Sequence, residues 1–490
     1  MGKLKKNLGY QTVYQILAVG IPLITSPYLS RVLGADGLGI YSYTYSIVYY
    51  FMLFALLGLS KYGMRLIAQS KTRQEISLNF CSLFVCQLIS AGLSLAAYLV
   101  YATALTAEYR VFFLIELLYL LSECVNISWL YFGLEEFKLT VTRSILVKLL
   151  TTVSLFVFVR RKEDLAVYVF ILAFGQLLSN LLLWIRLKKY VDFVPIRAQD
   201  VVRHIKPNLI LFIPVIASSV YHMMDKTMLG YFSTETESGY YYNADKLLNI
   251  PFTAVIGCCN VIMAKISVLV RDEQTEEYRA LQGKSLKVGM LVSSALCFGI
   301  AAVSDLFCPM FFGAAFQPTV LLAKWFAVVI LVKTVSTITC SACLIPLHRD
   351  GIYIFAVILG AAVNFVANYY MIKVLDMGAL GATIGTLIAE AVVMITQSCA
   401  FAFASRQNRY HLRQVVAGQI FLLPGAVMFG AVQLVHRVLP FRAAVNLLIE
   451  MSLGAVLYVG LTLLCLVAVR DKDILPMCKA ALCRLTGRKQ

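Results

Sequence analysis

Apolar segments long enough to cross a membrane follow one another along almost the whole chain, and they constrain its fold more than any other feature. A membrane-spanning helix needs about 20 mainly apolar residues, and by this rule the sequence predicts about fourteen spans. Because 60% of the 490 residues are hydrophobic and only 14% are charged, the apolar surface is too large for a soluble domain to bury. The chain is therefore predicted to be an all-α polytopic membrane protein. The predicted spans cover residues 8–31, 38–60, 76–103, 109–132, 138–159, 165–187, 207–231, 240–264, 282–304, 318–343, 351–372, 378–404, 414–436 and 443–469.

A polar break at residues 186–206 separates the first six predicted spans from the rest. Short segments recur across this break. Gly39 in the second span is matched by Gly239 near the eighth, and the segment Gly175–Asn180 resembles Gly385–Glu390. Since six spans is an even number, the copies keep one orientation, which predicts a parallel repeat of two six-helix lobes around a central cavity. The predicted divisions are an N-lobe at 1–190, a cytoplasmic linker at 191–206, a C-lobe at 207–406, two further helices at 407–470 and a basic cytoplasmic tail at 471–490.

Lysine and arginine residues lie mainly in alternate loops between the predicted spans. They are dense near the N-terminus, in every second loop and in the C-terminal tail, so the positive-inside rule predicts that both termini are cytoplasmic. The cluster Arg160-Arg161-Lys162 departs from this pattern. The net charge of +17 is thus explained by membrane topology, and no nucleic-acid partner is predicted.

Basic side chains within the spans are candidate substrate ligands, because a charge at the bilayer centre costs about 2.5–3.5 kcal/mol on insertion scales. Lys148 and Lys333 lie too deep to reach an interface easily and are predicted to face a polar cavity. Arg143, nearer the cytoplasmic end of the fifth span, is expected to snorkel. Arg31 follows two prolines, and it either snorkels at the outer end or is aimed inward by the helix break.

Two further basic residues, Arg65 and Lys265, lie at the inner ends of the second and eighth spans. They are either ordinary positive-inside anchors or groups that collect an anionic lipid head group at a cytoplasmic entrance. Together with Arg31, Lys148 and Lys333 they form the predicted substrate-binding set.

Acidic side chains also occur within the spans. Glu116 and Glu123 are seven residues apart and therefore share one helical face. They either carry protons or a cation, or neutralise nearby lysines, and the sequence leaves both interpretations open. Glu390 in the twelfth span is expected to pair with a basic neighbour.

A hairpin at residues 221–251 places Asp225, Lys226, Asp245 and Lys246 in or beside apolar segments. These charges either pair off and lock the hairpin, or exchange partners as a gate or ion-coupling site when the cavity opens and closes. The first lobe has uncharged residues where Asp245 and Lys246 stand, so this role is predicted for the second lobe alone.

Sequence motifs of the common catalytic and cofactor sites are absent. The chain contains no Walker-type phosphate loop, no His/Cys metal cluster and no nucleophile elbow. With five histidines and no long loop, neither an enzyme nor a cofactor or metal site is predicted. The expected energy source is a proton or sodium gradient, or the substrate gradient itself.

Four segments resemble the signature segments of polysaccharide flippases. They are Pro27–Tyr43, Asp225–Phe232, Gly239–Lys246 and Asp376–Gly385, the last followed by Glu390. On these segments the chain is similar to the O-antigen, capsule and teichoic-type flippases of the multidrug/oligosaccharidyl-lipid/polysaccharide exporter superfamily. The resemblance implies two six-helix lobes, alternating access and export of a sugar linked to undecaprenyl diphosphate. The chain departs from the family after the eighth span, where Ala264-Lys265 stands in place of a common Pro-Arg pair.

The predicted function is therefore a flippase that moves undecaprenyl-diphosphate-linked oligosaccharide from the inner to the outer leaflet of the bacterial cytoplasmic membrane, for cell-surface polysaccharide assembly. Expected partners are the lipid-linked oligosaccharide, membrane lipids, and the glycosyltransferases or polymerase of polysaccharide synthesis. One alternative is an ion-coupled drug or metabolite antiporter of the same fold, which should have a carboxylate-dominated cavity. Another is a membrane polysaccharide polymerase or ligase, which would be expected to have a large outer loop with catalytic residues.

Overall fold

The computed structural model of the chain describes residues 2–105, 108–471 and 474–475. Within these ranges the chain folds into α-helices with short 3₁₀ and π turns and contains no β-strand, which confirms the predicted fold class. The helices are α1 Gly2–Leu56, α2 Leu59–Gln69, α3 Arg73–Val100, α4 Arg110–Cys124, α5 Ser128–Gly133, α6 Phe137–Phe158, α7 Leu165–Leu181, α8 Ala198–Phe232, α9 Glu235–Arg271, α10 Thr275–Phe312, α11 Thr319–Thr339, α12 Asp350–Asn368, α13 Gly378–Phe403, α14 Tyr410–Gly418, α15 Leu422–His436 and α16 Ala443–Ala468.

Most of these helices have the length and composition of membrane spans. In the part of the chain that the structure describes, 12 helices are long and apolar enough to cross a bilayer. The first of them, Val19–Gln69, has 51 residues and covers the second half of the first predicted span and all of the second, because α1 runs on across a break at Gly34, where φ is 72° and ψ is −178°. A residue with a side chain adopts such a conformation only at a cost. Helix α8 occupies the position of the predicted seventh span, although it is not among the 12. The chain is thus a multi-pass membrane protein.

The chain divides into two compact units, Met1–Gly239 and Tyr240–Gln490. Helix α8 belongs to the first unit because it packs on α1, α2 and α3. The boundary between the units therefore lies beyond the predicted linker at 191–206, and the six-helix lobes stay a prediction about the sequence repeat. The predicted tail at 471–490 lies almost entirely outside the described residues.

Aromatic side chains form much of the core of the first unit. Trp129 is almost fully buried, and its indole Nε1 donates a hydrogen bond of 3.1 Å to Gln87 Oε1. In a second cluster the hydroxyl of buried Tyr98 donates to the carbonyl oxygen of Phe113 at 2.8 Å. The polar atoms of these rings are thus satisfied inside an apolar core, as burial requires.

Helix α11 is the most enclosed span of the second unit. It packs against both α10 and α13, and 72% of an apolar 18-residue stretch in Thr319–Leu344 is buried, the largest share among the 12 candidate spans. A charged side chain in the middle of this helix is therefore surrounded mainly by protein.

Candidate functional site: a cationic cavity and a buried ion pair

A cavity of about 390 Å³ lies in the first unit, among α1, α4, α6 and α7. Lys148, the deep lysine of α6, lines it. Tyr41, Tyr45 and Tyr119 contribute aromatic walls, and Gln176 on α7 contributes an amide. The cavity therefore combines positive charge, aromatic surface and neutral hydrogen-bonding groups.

Arg143 links this cavity to a second one. Its Nη1 donates to the carbonyl oxygen of Ser179 at 2.7 Å and to Asn180 Oδ1 at 3.3 Å, and its Nη2 donates to Ser144 Oγ at 3.2 Å. Arg143, Ser144, Gln176 and Asn180 line both the first cavity and a neighbouring cavity of about 430 Å³. The guanidinium thus lies at the junction of two cavities, where helix depth alone had predicted a snorkelling side chain.

The tyrosines of the first cavity contact one another. The rings of Tyr41 and Tyr45 stack with centroids 5.6 Å apart, and Tyr45 meets Tyr119 edge to face at 5.2 Å. The hydroxyls of Tyr41 and Tyr119 are 3.3 Å apart. These rings therefore form a connected aromatic wall beside Lys148.

Glu116 and Glu123 are both buried on α4, with exposures of 0% and 4%. Thr44 Oγ1 donates to Glu116 Oε1 at 2.9 Å, and the other carboxylate oxygen, Oε2, has no hydrogen-bond partner among the described residues. Asn126 Nδ2 donates to Glu123 Oε2 at 2.8 Å. The two carboxylates thus have separate partners, which are uncharged, and do not form one site.

In the second unit Lys333 and Glu390 come together. Lys333 Nζ on α11 lies 3.6 Å from Glu390 Oε1 on α13, and the two side chains are 19% and 5% exposed. The ammonium also lies 5.2 Å from the centre of the Phe252 ring. The expectation that Glu390 pairs with a basic neighbour is therefore confirmed.

In each unit the last residue of the repeated segment, on the sixth predicted span of the lobe, contacts the helix of the fourth predicted span. Asn180, the last residue of Gly175–Asn180, donates from Nδ2 to Ser122 Oγ on α4 at 2.8 Å. Its counterpart Glu390 ends Gly385–Glu390 and contacts Lys333 on α11. Helices α4 and α11 each correspond to the fourth predicted span of their lobe. The contact between the fourth and sixth spans is thus neutral in the first unit and ionic in the second.

The four charges of the hairpin are divided between the compact units. Asp225 is buried and lies with Lys226 on α8, in the first unit. In the second unit Asn249 Nδ2 donates to Asp245 Oδ1 at 2.8 Å, and Lys246 Nζ lies 5.0 Å from the centre of the Tyr242 ring. The two interpretations of these charges, as pairs that lock the hairpin and as a gate or ion-coupling site, both stay predictions.

The remaining predicted substrate ligands lie on exposed helix surfaces. Arg31 is exposed and donates from Nη1 to the carbonyl oxygen of Pro27 at 3.2 Å. Arg65 on α2 and Lys265 on α9 are also exposed. None of the three lines either cavity of the first unit. Their assignment to substrate binding stays a prediction.

Known proteins resemble the chain in sequence and in fold. Residues 4–263, more than half of the chain, match the family model described as polysaccharide biosynthesis protein. A putative O-antigen transporter of Shigella dysenteriae is 22% identical over 379 residues, which cover 76% of this chain and 94% of that relative.

Solved structures share the architecture at low sequence identity. A lipid II flippase, MurJ, in an inward closed conformation superposes with a TM-score of 0.75 at 11% identity and covers 94% of this chain and 99% of its own. An inward-facing multidrug resistance transporter of the MATE family gives a TM-score of 0.62 at 14% identity, covering 83% and 95%. At identities this low, the structural similarity shows a common fold alone. The chain, a multi-pass helical membrane protein, therefore belongs to the polysaccharide biosynthesis protein family.

Proposed function

We propose that this protein is a flippase that moves an undecaprenyl-diphosphate-linked oligosaccharide from the inner to the outer leaflet of the bacterial cytoplasmic membrane by alternating access. The product would supply cell-surface polysaccharide assembly. The observation that carries the proposal is the cavity of the first unit, where Lys148 and Arg143 lie beside an aromatic wall.

This combination suits a ligand with two chemically different parts. A diphosphate is too strongly charged to cross a hydrocarbon core unaided, and hydrogen bonds between cationic groups and phosphate oxygens contribute about 1.5–3 kcal/mol each. The ammonium of Lys148 and the guanidinium of Arg143 supply such donors. The rings of Tyr41, Tyr45 and Tyr119 offer flat apolar faces with hydroxyls, which suit sugar rings. Arg31, Arg65 and Lys265 are proposed to guide the anionic head group on the protein surface.

Glu116 is the best candidate for coupling transport to an ion gradient. A fully buried carboxylate without a cationic partner is unfavourable when ionised, so it is expected to hold a proton or a sodium ion. Thr44 occupies one of its oxygens and leaves the other available. Glu123 is also buried, but it is a weaker candidate for ion coupling, because Asn126 donates to its Oε2 and neither of its oxygens is known to lack a partner.

The ion pair of Lys333 and Glu390 is proposed as a gating element of the second unit, together with Asp225, Lys226, Asp245 and Lys246. Its repeat-equivalent contact is neutral, so the packing of these helices does not require charge. A pair that opens and reforms would release a deep ammonium for the diphosphate in one state of the cycle.

The compared proteins support transport over catalysis, because the relative and the structural neighbours reported above are named as transporters or a flippase. The O-antigen transporter and the lipid II flippase favour a lipid-linked sugar. The multidrug transporter keeps one alternative open, an ion-coupled antiporter of drugs or metabolites. We further propose that both termini are cytoplasmic, and that polysaccharide glycosyltransferases or a polymerase act before and after this step.

The proposal is tested by replacing Lys148 in proteoliposomes that contain a fluorescent undecaprenyl-diphosphate oligosaccharide. Lys148→Ala is expected to reduce the rate of leaflet transfer by about tenfold or more, since one charge-assisted contact is lost. Lys138→Ala is the matched control, because Lys138 lies on the same helix but is exposed and outside both cavities. Equal transfer rates in the two variants would remove Lys148 from the substrate site.

A further inference from the structure

A third cavity lies in the second unit, among α10, α15 and α16, away from the charged sites described above. Its volume is about 420 Å³. Small residues from two helices make room for it, among them Ala295 and Gly299 on α10 and Gly454 and Ala455 on α16. A Cβ atom added at Gly299 would meet no heavy atom within 4 Å. The space beside Gly299 is therefore open, and the walls of the cavity are apolar almost throughout.

One acidic residue, Glu450, interrupts these apolar walls. Glu450 is 1% exposed. His436 Nδ1 lies 2.8 Å from Glu450 Oε1, whereas Oε2 has no hydrogen-bond partner among the residues that the structure describes. An ionised carboxylate can accept about four hydrogen bonds, so the histidine leaves most of this capacity unused. A buried acceptor left unsatisfied is unfavourable, which makes Glu450 Oε2 a candidate ligand-binding atom.

The shape of the cavity suits a molecule that enters from the bilayer. Glu450 lies about 10 Å along α16 from its first residue, at about 1.5 Å per residue. Tyr458, two turns further along α16, donates its hydroxyl to the carbonyl oxygen of Leu291 at 2.6 Å and so presents a satisfied, mainly apolar wall. Met451 and Val459 line the cavity and are also 52% and 57% exposed on this membrane-spanning helix. A hydrocarbon chain can therefore reach the cavity from the lipid phase.

We propose that this cavity binds an amphiphile with a hydrocarbon chain and a primary ammonium group, and that Glu450 Oε2 accepts a hydrogen bond from the ammonium. A carboxylate in an apolar wall attracts a cation with N–H donors and disfavours a head group that carries only negative charge. The chain of the ligand lies along Gly299 and Gly454. The inference is independent of the transported substrate. Two membrane components have this chemistry, an ethanolamine phospholipid and a free long-chain amine.

The test measures equilibrium binding of radiolabelled dodecylammonium to the full chain in phosphatidylcholine nanodiscs, with empty nanodiscs subtracted. Glu450→Gln preserves the shape of the side chain and is expected to weaken binding about tenfold or more. Gly299→Leu fills the cavity and is expected to abolish saturable binding. Gly460→Leu is its matched control, because an added Cβ there also meets no heavy atom within 4 Å and the residue does not line the cavity.

Dodecanol, which has the same chain without the charge, is expected to bind the wild type much more weakly than dodecylammonium. If nanodiscs of phosphatidylethanolamine suppress dodecylammonium binding to the wild type, the occupant is the phospholipid. If they do not, it is a free amine. Absence of saturable dodecylammonium binding would overturn the proposal. So would equal affinity for the wild type and Glu450→Gln, or equal loss in the folded Gly299→Leu and Gly460→Leu variants.

Discussion

Replacing Glu390 by glutamine tests whether burial or distance sets the strength of the ion pairs on α11. This helix carries two pairs. Lys324 Nζ lies 2.8 Å from Asp305 Oδ1, with side chains 31% and 27% exposed, whereas Lys333 Nζ lies 3.6 Å from Glu390, with side chains 19% and 5% exposed. Distance alone ranks the Lys324 pair as the stronger. Burial ranks the loss of Glu390 as the more damaging, because it leaves a less hydrated charge.

The expected magnitudes differ clearly. Glu390→Gln leaves the ammonium of Lys333 without its carboxylate, and removing one partner of a buried pair costs about 3–5 kcal/mol. Asp305→Asn leaves Lys324 partly hydrated, so its cost is expected to be about 1 kcal/mol or less. The double variant Lys333→Gln/Glu390→Gln removes the uncompensated charge and is expected to recover about half of the loss or more.

Thermal unfolding in detergent, followed with a thiol-reactive dye, measures these differences. Cys297, Cys308 and Cys343 are free thiols with exposures of 3%, 0% and 0%, so they react only when the second unit opens. Glu390→Gln is expected to lower the unfolding temperature by about 6 °C or more, at about 2–4 °C per kcal/mol for a unit of this size. An equal or larger decrease for Asp305→Asn, or no recovery in the double variant, would show that burial does not set the strength of these ion pairs.

Three further predictions address other parts of the chain. Glu116→Gln preserves the contact with Thr44 and is expected to keep the fold while abolishing the response of transport to an imposed proton gradient in proteoliposomes. Gly34→Ala places a side chain at a φ of 72° and is expected to cost about 1–3 kcal/mol, seen as a lower unfolding temperature. Burial, with a smaller contribution from Arg203, lowers the pKa of His204, which precedes the predicted seventh span, to about 4. An exposed histidine has a pKa of about 6.5, so between these values the unfolded chain binds a proton that the folded chain does not. Stability is therefore expected to fall as the pH decreases through this window, and His204→Gln is expected to flatten the pH dependence of the unfolding temperature.

Each of these predictions has a specific contrary result. Transport by Glu116→Gln that still responds to the proton gradient would exclude Glu116 from coupling. Gly20→Ala is the control for Gly34→Ala, because Gly20 lies on the same helix and an added Cβ there meets no heavy atom within 4 Å. Equal unfolding temperatures of the two glycine variants would contradict the conformational argument. An unchanged pH profile in His204→Gln would assign the acid sensitivity to another group.

Much of the fold could be predicted from local sequence because a membrane span is a local feature. A run of about 20 apolar residues specifies a spanning helix without reference to its neighbours. The boundary of the first compact unit could not be predicted in this way. It depends on the packing of α8 against α1, α2 and α3, which no apolar run encodes.

In the candidate site, too, some features follow from local sequence and others depend on how the helices pack. Depth follows from counting residues along a helix, and it singled out Lys148, which lines a cavity, and Lys333, which lies beside Glu390. Their role in substrate binding stays a prediction. The position of Arg143 between two cavities depends on the direction in which α6 faces, and the amphipathic signal of a largely apolar helix is too weak to give that direction. The pair of His436 and Glu450 was missed because its members lie on different helices, where sequence spacing carries no information about contact. Two signals in the sequence could have helped. The repeated segment ends at Asn180, which contacts Arg143, and Glu450 is a lone glutamate within an apolar run.

Leaflet transfer of a lipid-linked oligosaccharide by the purified wild-type chain is the decisive measurement for the proposed flippase function. Proteoliposomes would receive, in separate samples, a fluorescent oligosaccharide on undecaprenyl diphosphate and the same oligosaccharide on an uncharged undecaprenyl ether, and a membrane-impermeant quencher would report the leaflet of each. The diphosphate, which Lys148 and Arg143 are proposed to bind, is expected to be transferred rapidly, and the uncharged analogue slowly. Failure to move the diphosphate, together with ion-coupled efflux of a cationic dye from the same proteoliposomes, would contradict the flippase assignment and favour the antiporter.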